Sequence, residues 1–335
     1  MGGCAALKSA GFMRRVAVTG ATGFLGGDLA MALHKLGVEV IALGRHPDKL
    51  GAMPMKTVQC DITDITTLRT AFRGCDAVIH AAALSSPWGQ RAAFWRSNVL
   101  GSRVVTQACQ LQGVARLVYI SSPAVVFADC DAVNLPDDAA YPQAFSSHYA
   151  HSKCVAERDL RASDLPCVIL RPKAIYGVGD TSLLPRIVAA ARAGRLPQIG
   201  DGSNLIELTH ISDATRAVLL ALETPLETGH PVPYTITSGE RVRLWDVIRR
   251  VLRGLGVPST LPVISLPVAL RLARTLEGIA LVTKREPRLT RYTAQILART
   301  QTYDTTRAAL DLGYRAEVSL NDGLEQTIAA LRGVT

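Results

Sequence analysis

At 335 residues, with 48% hydrophobic and only 19% charged positions, the chain can bury a sizeable core and does not have a disordered composition. Its net charge of +9 is local: residues 241–300 carry 12 Arg or Lys against Asp246, Glu277 and Glu286, so the remainder is balanced. Seven scattered cysteines without a C-x-x-C pair argue against a disulfide framework or a zinc site and suit reduced thiols in a cytoplasmic protein.

No stretch reads as a membrane span, because Leu261 to Val282 is broken by Pro262, Pro267, Arg271 and Arg274. Residues 1–13 lack the features of a signal peptide and read as a loose extension, with Met13-Arg14-Arg15 an equally good start. The first strand, Arg15–Val18, runs into Gly20, Gly23 and Gly26, the third of which opens a helix through Leu29, Leu33 and Leu36. A tight turn of this kind lets backbone approach a pyrophosphate resting on helix N-terminal amides. Strand two, Val38–Leu43, ends at Gly44-Arg45, where NAD-specific folds carry an acid for the ribose hydroxyls. A cation in that place suits a 2′-phosphate and favours NADP(H) over NAD(H).

Thr57–Cys60 is strand three, leading into Asp61-Ile62-Thr63-Asp64, a helix cap on the adenine side. Strand four, Asp76–His80, is followed by Ala81-Ala82-Ala83, small enough for backbone to lie against a ligand; His80 reads as structural and no metal is expected. A long helix over about 92–112 carries Asn98, strand five covers Leu117–Ser122, and strand six covers Cys167–Leu170 and ends in Arg171-Pro172. Strands alternating with helices predict an α/β fold with a doubly wound parallel sheet. A Rossmann domain is placed at 14–173. A smaller mixed lobe over 174–335 would mainly bind substrate, with room for elements that return to the first lobe.

Within it, Leu183–Ala193 reads as helix stopped by Gly194, Leu205–His210 as strand, Asp213–Leu222 as helix and Tyr234–Thr237 as a short strand. Chemistry centres on Tyr149-Ala150-His151-Ser152-Lys153. Tyr and Lys at i and i+4 share one helix face about 5–6 Å apart at Cβ, and a nearby ammonium favours the phenolate. Ser122 sits at a strand's C-terminal end, the edge where parallel sheets gather ligands. Ser121 and Ser122 both stay open as the residue that faces the substrate.

The stretches TGATGFLG (19–26), DITD (61–64), HAAA (80–83), NVLGS (98–102), YISS (119–122), YAHSK (149–153) and LRPKAIYGVGD (170–180) resemble the extended short-chain dehydrogenase/reductase superfamily over 14–331. Within it the chain is similar to the 3β-hydroxysteroid dehydrogenase-related branch. The resemblance implies hydride transfer, with Tyr149 as general acid or base, Ser122 on the substrate oxygen, Lys153 on Tyr149 and the ribose, and Asn98 holding the helix and a relay water. It also implies cofactor contacts from Gly20, Thr22, Gly23, Phe24, Leu25, Gly26, Arg45, Asp61, Ile62, Ala81, Ala82, Ala83, Tyr149, Lys153 and Pro172.

Trp88, in a loop, and Tyr176, beyond strand six, are candidate substrate walls; Phe94 and Trp95 read as core. The substrate expected is a large apolar 3-oxo or 3-hydroxy compound such as a 2-alkyl-3-oxoalkanoate. Steroid or sterol-4-carboxylate dehydrogenation, nucleotide-sugar epimerisation and non-catalytic NADP(H) sensing are the alternatives. A homodimer is expected. Residues 266–291 form a basic amphipathic segment suited to peripheral membrane contact or to covering an apolar tunnel. Nucleic-acid binding is not expected, since the cations are interleaved with Leu and Val.

Overall fold

The structure is a computed structural model that describes residues 13–225 and 231–333; apart from Met13, the extension expected over 1–13 lies outside them. The first lobe runs β1 (Arg15–Thr19), α1 (Phe24–Lys35), β2 (Glu39–Gly44), α2 (Pro47–Gly51), β3 (Lys56–Gln59), α3 (Ile65–Phe72) and β4 (Ala77–His80). It continues through α4 (Arg91–Phe94), a π-helical turn (Trp95–Leu100), α5 (Gly101–Gln112), β5 (Arg116–Ile120), a 3₁₀ turn (Pro123–Val126), β6 (Ala132–Leu135), α6 (His148–Arg161) and β7 (Cys167–Pro172). Then follow β8 (Ile175–Tyr176), α7 (Leu184–Arg192), β9 (Gln198–Ile199), β10 (Leu205–Ile206), β11 (Thr209–His210), α8 (Ile211–Glu223) and β12 (Pro233–Ile236). The chain closes with β13 (Val242–Arg243), α9 (Leu244–Gly254), β14 (Val263–Ile264), α10 (Leu266–Thr283), α11 (Arg291–Ala298), β15 (Gln301–Tyr303), α12 (Thr306–Asp311) and α13 (Leu320–Gly333).

Seven strands form one parallel sheet in the order β12-β7-β5-β4-β1-β2-β3. Both of its faces are covered, which is why strands such as Val16-Ala17-Val18 are apolar without alternation. Val16 and Val18 pack with Leu29, Leu33, Ala217 and Val218, which come from α1 and α8. Ala17 and Val78 face the opposite layer, with Leu68, Val105 and Ala156 from α3, α5 and α6. Strand order reverses between β1 and β4, and this switch point opens a crevice at the strands' C-terminal ends.

The second lobe has its own core around the fully buried Trp245, together with residues of α7, α9, α10, α11 and α13. Its four-stranded sheet, β13-β10-β15-β6, borrows β6 from the first half of the chain. In the other direction, α8 and β12 return to the first lobe, so a cut at 173/174 does not separate two independent units. Two expectations need correction. Helix α1 begins at Phe24 with Gly23 as its N-cap, which puts Gly26 inside the first turn. The run 205–210 is two strands in different sheets, because Glu207-Leu208 crosses from one sheet to the other between them.

Candidate active site

The glycine turn lies at the switch point. Gly20 has φ +74°, and a Cβ there would sit 2.7 Å from the Ala82 amide nitrogen. A Cβ on Gly26 would overlap the Gly20 carbonyl oxygen, so α1 can approach the turn only without a side chain. No side chain caps α1, and its first turn carries no acid. Its leading amides therefore remain available to an anion, as a dinucleotide's pyrophosphate requires. Around this turn, Leu25 is buried, the Thr22 methyl lies under Gly44, and the Phe24 ring lies against Gly179.

After β3 the four residues DITD divide their labour. Asp64 caps α3 through the Thr66 and Thr67 amides. Asp61 accepts from the Thr63 amide at 3.0 Å and from Arg96 Nη2 at 2.9 Å. These bonds, led by the Thr63 amide, hold its carboxyl below the usual carboxylate range. Ile62 packs tightly against Gly101. Arg45 is exposed at the end of β2 and has no ion-pair partner among the described residues.

A continuous hydrogen-bonded line runs from the glycine turn to the helix that carries Tyr149. Thr19 Oγ1 meets His80 Nδ1 at 2.7 Å, and His80 Nε2 meets Ser102 Oγ at 3.1 Å. Because Ser102 donates its proton to the Asn98 carbonyl at 2.7 Å, it must accept from His80. The imidazole is therefore the Nε2–H tautomer, and Thr19 donates to Nδ1. Burial, with Lys153 nearby, pushes the His80 pKa down to about 3, so the ring stays neutral. Asn98 sits in the π-helical turn, a backbone irregularity frequent at functional sites. Its amide clamps Leu84, accepting from the Leu84 amide at 2.7 Å and donating to its carbonyl at 3.0 Å. Asn98 Nδ2 also donates to Ser152 Oγ at 2.9 Å, and Ser152 donates to the Tyr149 carbonyl at 2.8 Å.

Helix α6 is N-capped by Ser147 and presents Tyr149 and Lys153 one turn apart. The two serines after β5 point to different partners. Ser121 turns into the core and donates to Glu157 at 2.5 Å, whereas Ser122 is within hydrogen-bonding reach of the Tyr149 phenol. Ser122 Oγ also accepts from the Ala124 amide at 3.2 Å. Lys153 donates to the Ile120 carbonyl at 2.6 Å, and its ammonium lies 4.0 Å above the Tyr119 ring. Burial pushes the Lys153 pKa down to about 7, with Glu157 pulling the other way. The phenolate expected at Tyr149 is not favoured in this arrangement: burial pushes the phenol up, and the Ser122 hydrogen bond opposes it only in part.

A buried charge pair beneath the site has no counterpart in the sequence-based expectations. Glu157 and Arg171 are both almost fully enclosed and bonded to each other. Glu157 also accepts from Tyr141 at 2.8 Å, and Arg171 Nη1 donates to the Asp137 carbonyl at 2.8 Å. The signal available was spacing: Glu157 follows Lys153 by four residues and shares its helix face.

At the start of α6, a pocket of about 120 Å³ is lined by Trp88, Phe94, Phe145, His148, Glu277 and Arg291. Trp88 thus stands on a wall next to the Tyr149 helix, and Phe94 is buried behind it. Trp95 packs edge-on against His151. Pro172 ends β7, half-buried, while Ala81, Ala82 and Ala83 follow β4 outside any regular element. Tyr176 is a correction. It is 1% exposed in the second lobe's core, set against His210 with its ring centroid 5.4 Å away, because β8 pairs with β11 and turns it inward.

Residues 16–237 match the family described as the NAD dependent epimerase/dehydratase family. The chain is 35% identical over 326 residues to a 2-alkyl-3-oxoalkanoate reductase of Stenotrophomonas maltophilia, covering 94% of this chain and 99% of that protein. It is 33% identical over 296 residues to a 3beta-hydroxysteroid-dehydrogenase/decarboxylase isoform 2 of Arabidopsis thaliana, covering 83% of this chain and 52% of the plant protein. The solved structure of MoeE5 in complex with UDP-glucose and NAD superposes with a TM-score of 0.75 at 26% identity, over 96% of this chain and 99% of that one.

The Glu157–Arg171 pair generates a stability prediction. Glu157→Gln leaves a buried guanidinium uncompensated and should cost about 3–5 kcal/mol in denaturant unfolding. Adding Arg171→Met to Glu157→Leu should recover much of that loss. Equal stability of Glu157→Gln and the native chain would show that the pair carries no such constraint.

Proposed function

The chain belongs to the NAD dependent epimerase/dehydratase family, among the extended short-chain dehydrogenases/reductases, and we propose that it is an NADP(H)-dependent reductase of a large apolar 3-oxo substrate such as a 2-alkyl-3-oxoalkanoate. That it is a nicotinamide-dependent oxidoreductase follows from the family and its oxidoreductase relatives. The observation that carries the substrate reading is the pair of aromatic side chains, Trp88 and Phe145, in the pocket at the start of α6, with Phe94 enclosed behind them. An apolar acyl chain gains by leaving water for such a surface. Arg291 borders the same pocket and is held by Glu277 through its Nε at 2.7 Å, so its terminal N–H groups can meet a substrate carboxylate. A steroid ketone is the second reading, favoured by the 33% identity to the plant 3beta-hydroxysteroid-dehydrogenase/decarboxylase.

The glycine turn and the amides of α1 would hold the pyrophosphate, Lys153 the ribose beside the nicotinamide, and Arg45 a 2′-phosphate. A bound nicotinamide supplies the hydride to the carbonyl carbon in reduction. Tyr149 transfers its phenolic proton to the carbonyl oxygen, so hydride and proton together yield the alcohol. The elevated phenol pKa keeps that proton in place at neutral pH. Ser122, whose oxygen already accepts from Ala124, directs its own O–H at the oxygen where charge develops. The Lys153 ammonium contributes positive charge below about pH 7 and loses it as pH rises through its lowered pKa. Asn98 acts through Leu84 and Ser152, fixing the loop and the helix between which the substrate lies.

The preference for NADP(H) draws support from Gly44, which offers no carboxylate to repel a phosphate, and from Asp61, whose carboxylate is engaged by Thr63 and Arg96. Arg45→Ala should raise the KM for NADPH by about 10–100-fold, the range of a charged hydrogen-bond pair, while leaving NADH kinetics nearly unchanged. An equal effect on both cofactors would assign Arg45 to the surface. Tyr149→Phe should lower kcat by about 10²–10⁴-fold with cofactor binding retained, as read by NADPH fluorescence. Near-native turnover in that variant would remove Tyr149 from the chemistry.

A further inference from the structure

Helix α10 is turned the unusual way round. The side chains it buries are small or charged, Ala269, Ala273, Ala280 and Glu277, spaced to share one face. Leu266 and Leu270 pack partly against the second lobe's core, but four other large apolar side chains point outward: Val268 is 49% exposed, Leu272 45%, Ile279 53% and Val282 84%. At 100° per residue, Val268, Leu272, Ile279 and Val282 fall within one stripe. A soluble surface helix does the reverse, hiding its large apolar residues and exposing polar ones.

Charge gives this stripe its partner. Arg271 and Arg274 flank it, and Lys284, Arg285 and Arg288 follow the helix; all five are exposed and none has an ion-pair partner among the described residues. The acids of the region are engaged elsewhere, Glu277 with Arg291 at 2.7 Å, Glu286 with Arg186 at 3.1 Å and Asp246 with Arg249 at 3.0 Å. A second copy docked on this face would bring two sets of uncompensated cations together. An anionic lipid surface meets both features at once, since phosphate headgroups neutralise the cations while the apolar stripe enters the acyl boundary.

We propose that α10 and residues 284–288 dock this protein peripherally on anionic membranes. No helix among the described residues is long and apolar enough to cross a bilayer, so the contact lies in the interface plane. Placement gives the contact a use, because Glu277 of α10 and Arg291 of α11 line the same pocket as Trp88 and His148 at the start of α6. An apolar substrate partitioned in lipid would enter next to the docked helix. Docking itself does not depend on the substrate assignment, and its test requires no turnover.

Flotation with phosphatidylcholine vesicles, with and without phosphatidylglycerol, tests the proposal on the full chain. The native protein should float with phosphatidylglycerol vesicles, float weakly with phosphatidylcholine alone, and bind less as salt is raised. Each basic residue near an anionic surface strengthens binding by about fivefold, so Arg271→Glu combined with Arg274→Glu should weaken binding by well over tenfold. Leu272→Glu combined with Ile279→Glu should abolish it while the unfolding midpoint stays close to native, since about half of each side chain is already exposed. No flotation of the native chain at low salt would overturn the proposal. So would a fall in oligomer mass by sedimentation in the Leu272→Glu, Ile279→Glu variant, which would make this face a contact between copies of the chain.

Discussion

The line of hydrogen bonds from Thr19 through His80, Ser102, Asn98 and Ser152 to the Tyr149 carbonyl sets the geometry on which the rest of the site depends. Each donor and acceptor in it has one consistent assignment, and the neutral imidazole is the hinge, donating on one side and accepting on the other. A protonated His80 would present two donors and break the match with Thr19, so the burial that lowers its pKa also keeps the line intact. Because the line starts at the turn where Gly20 nearly touches Ala82, the place for a pyrophosphate and the position of the Tyr149 helix are mechanically coupled.

Below this line, burial and charge compete, and the outcome differs from residue to residue. Lys153 loses more by desolvation than Glu157 restores, which brings its pKa to about 7. Tyr149 is pushed up, so it resembles a poised acid more than a standing phenolate. Glu157 and Arg171 satisfy one another and pull Ser121 inward, leaving the next residue, Ser122, on the side of Tyr149. Two adjacent serines of identical chemistry are thereby turned to different partners, Ser121 bonding to the buried pair and Ser122 not.

Much of this was legible in the chain because it rests on local rules. Gly20, Gly23 and Gly26 mark a turn whatever surrounds them, and the spacing of Tyr149 and Lys153 places them on one face of any helix. The parallel sheet followed from strands and helices in alternation. What escaped depends on contacts between distant segments. Tyr176 looked like a wall from its position after β7, yet pairing of β8 with β11 buries it. The partnership of Glu157 with Arg171 joins a helix to a strand, and neither residue announces it. The basic character of 241–300 was visible, but the outward turn of Leu272 and Ile279 required knowing that Ala269, Ala273 and Ala280 face the core.

Under the proposed function, the cleft between the glycine turn and Tyr149 reduces an apolar 3-oxo acid. The most direct measurement is NADPH consumption by the purified protein with a 2-alkyl-3-oxoalkanoate, run beside UDP-sugars and with the product identified by mass. One NADPH should be oxidised for each 3-hydroxy acid formed, with no conversion of the sugars. Conversion of a UDP-sugar without net NADPH consumption, and none of the oxo acid, would contradict the proposed function.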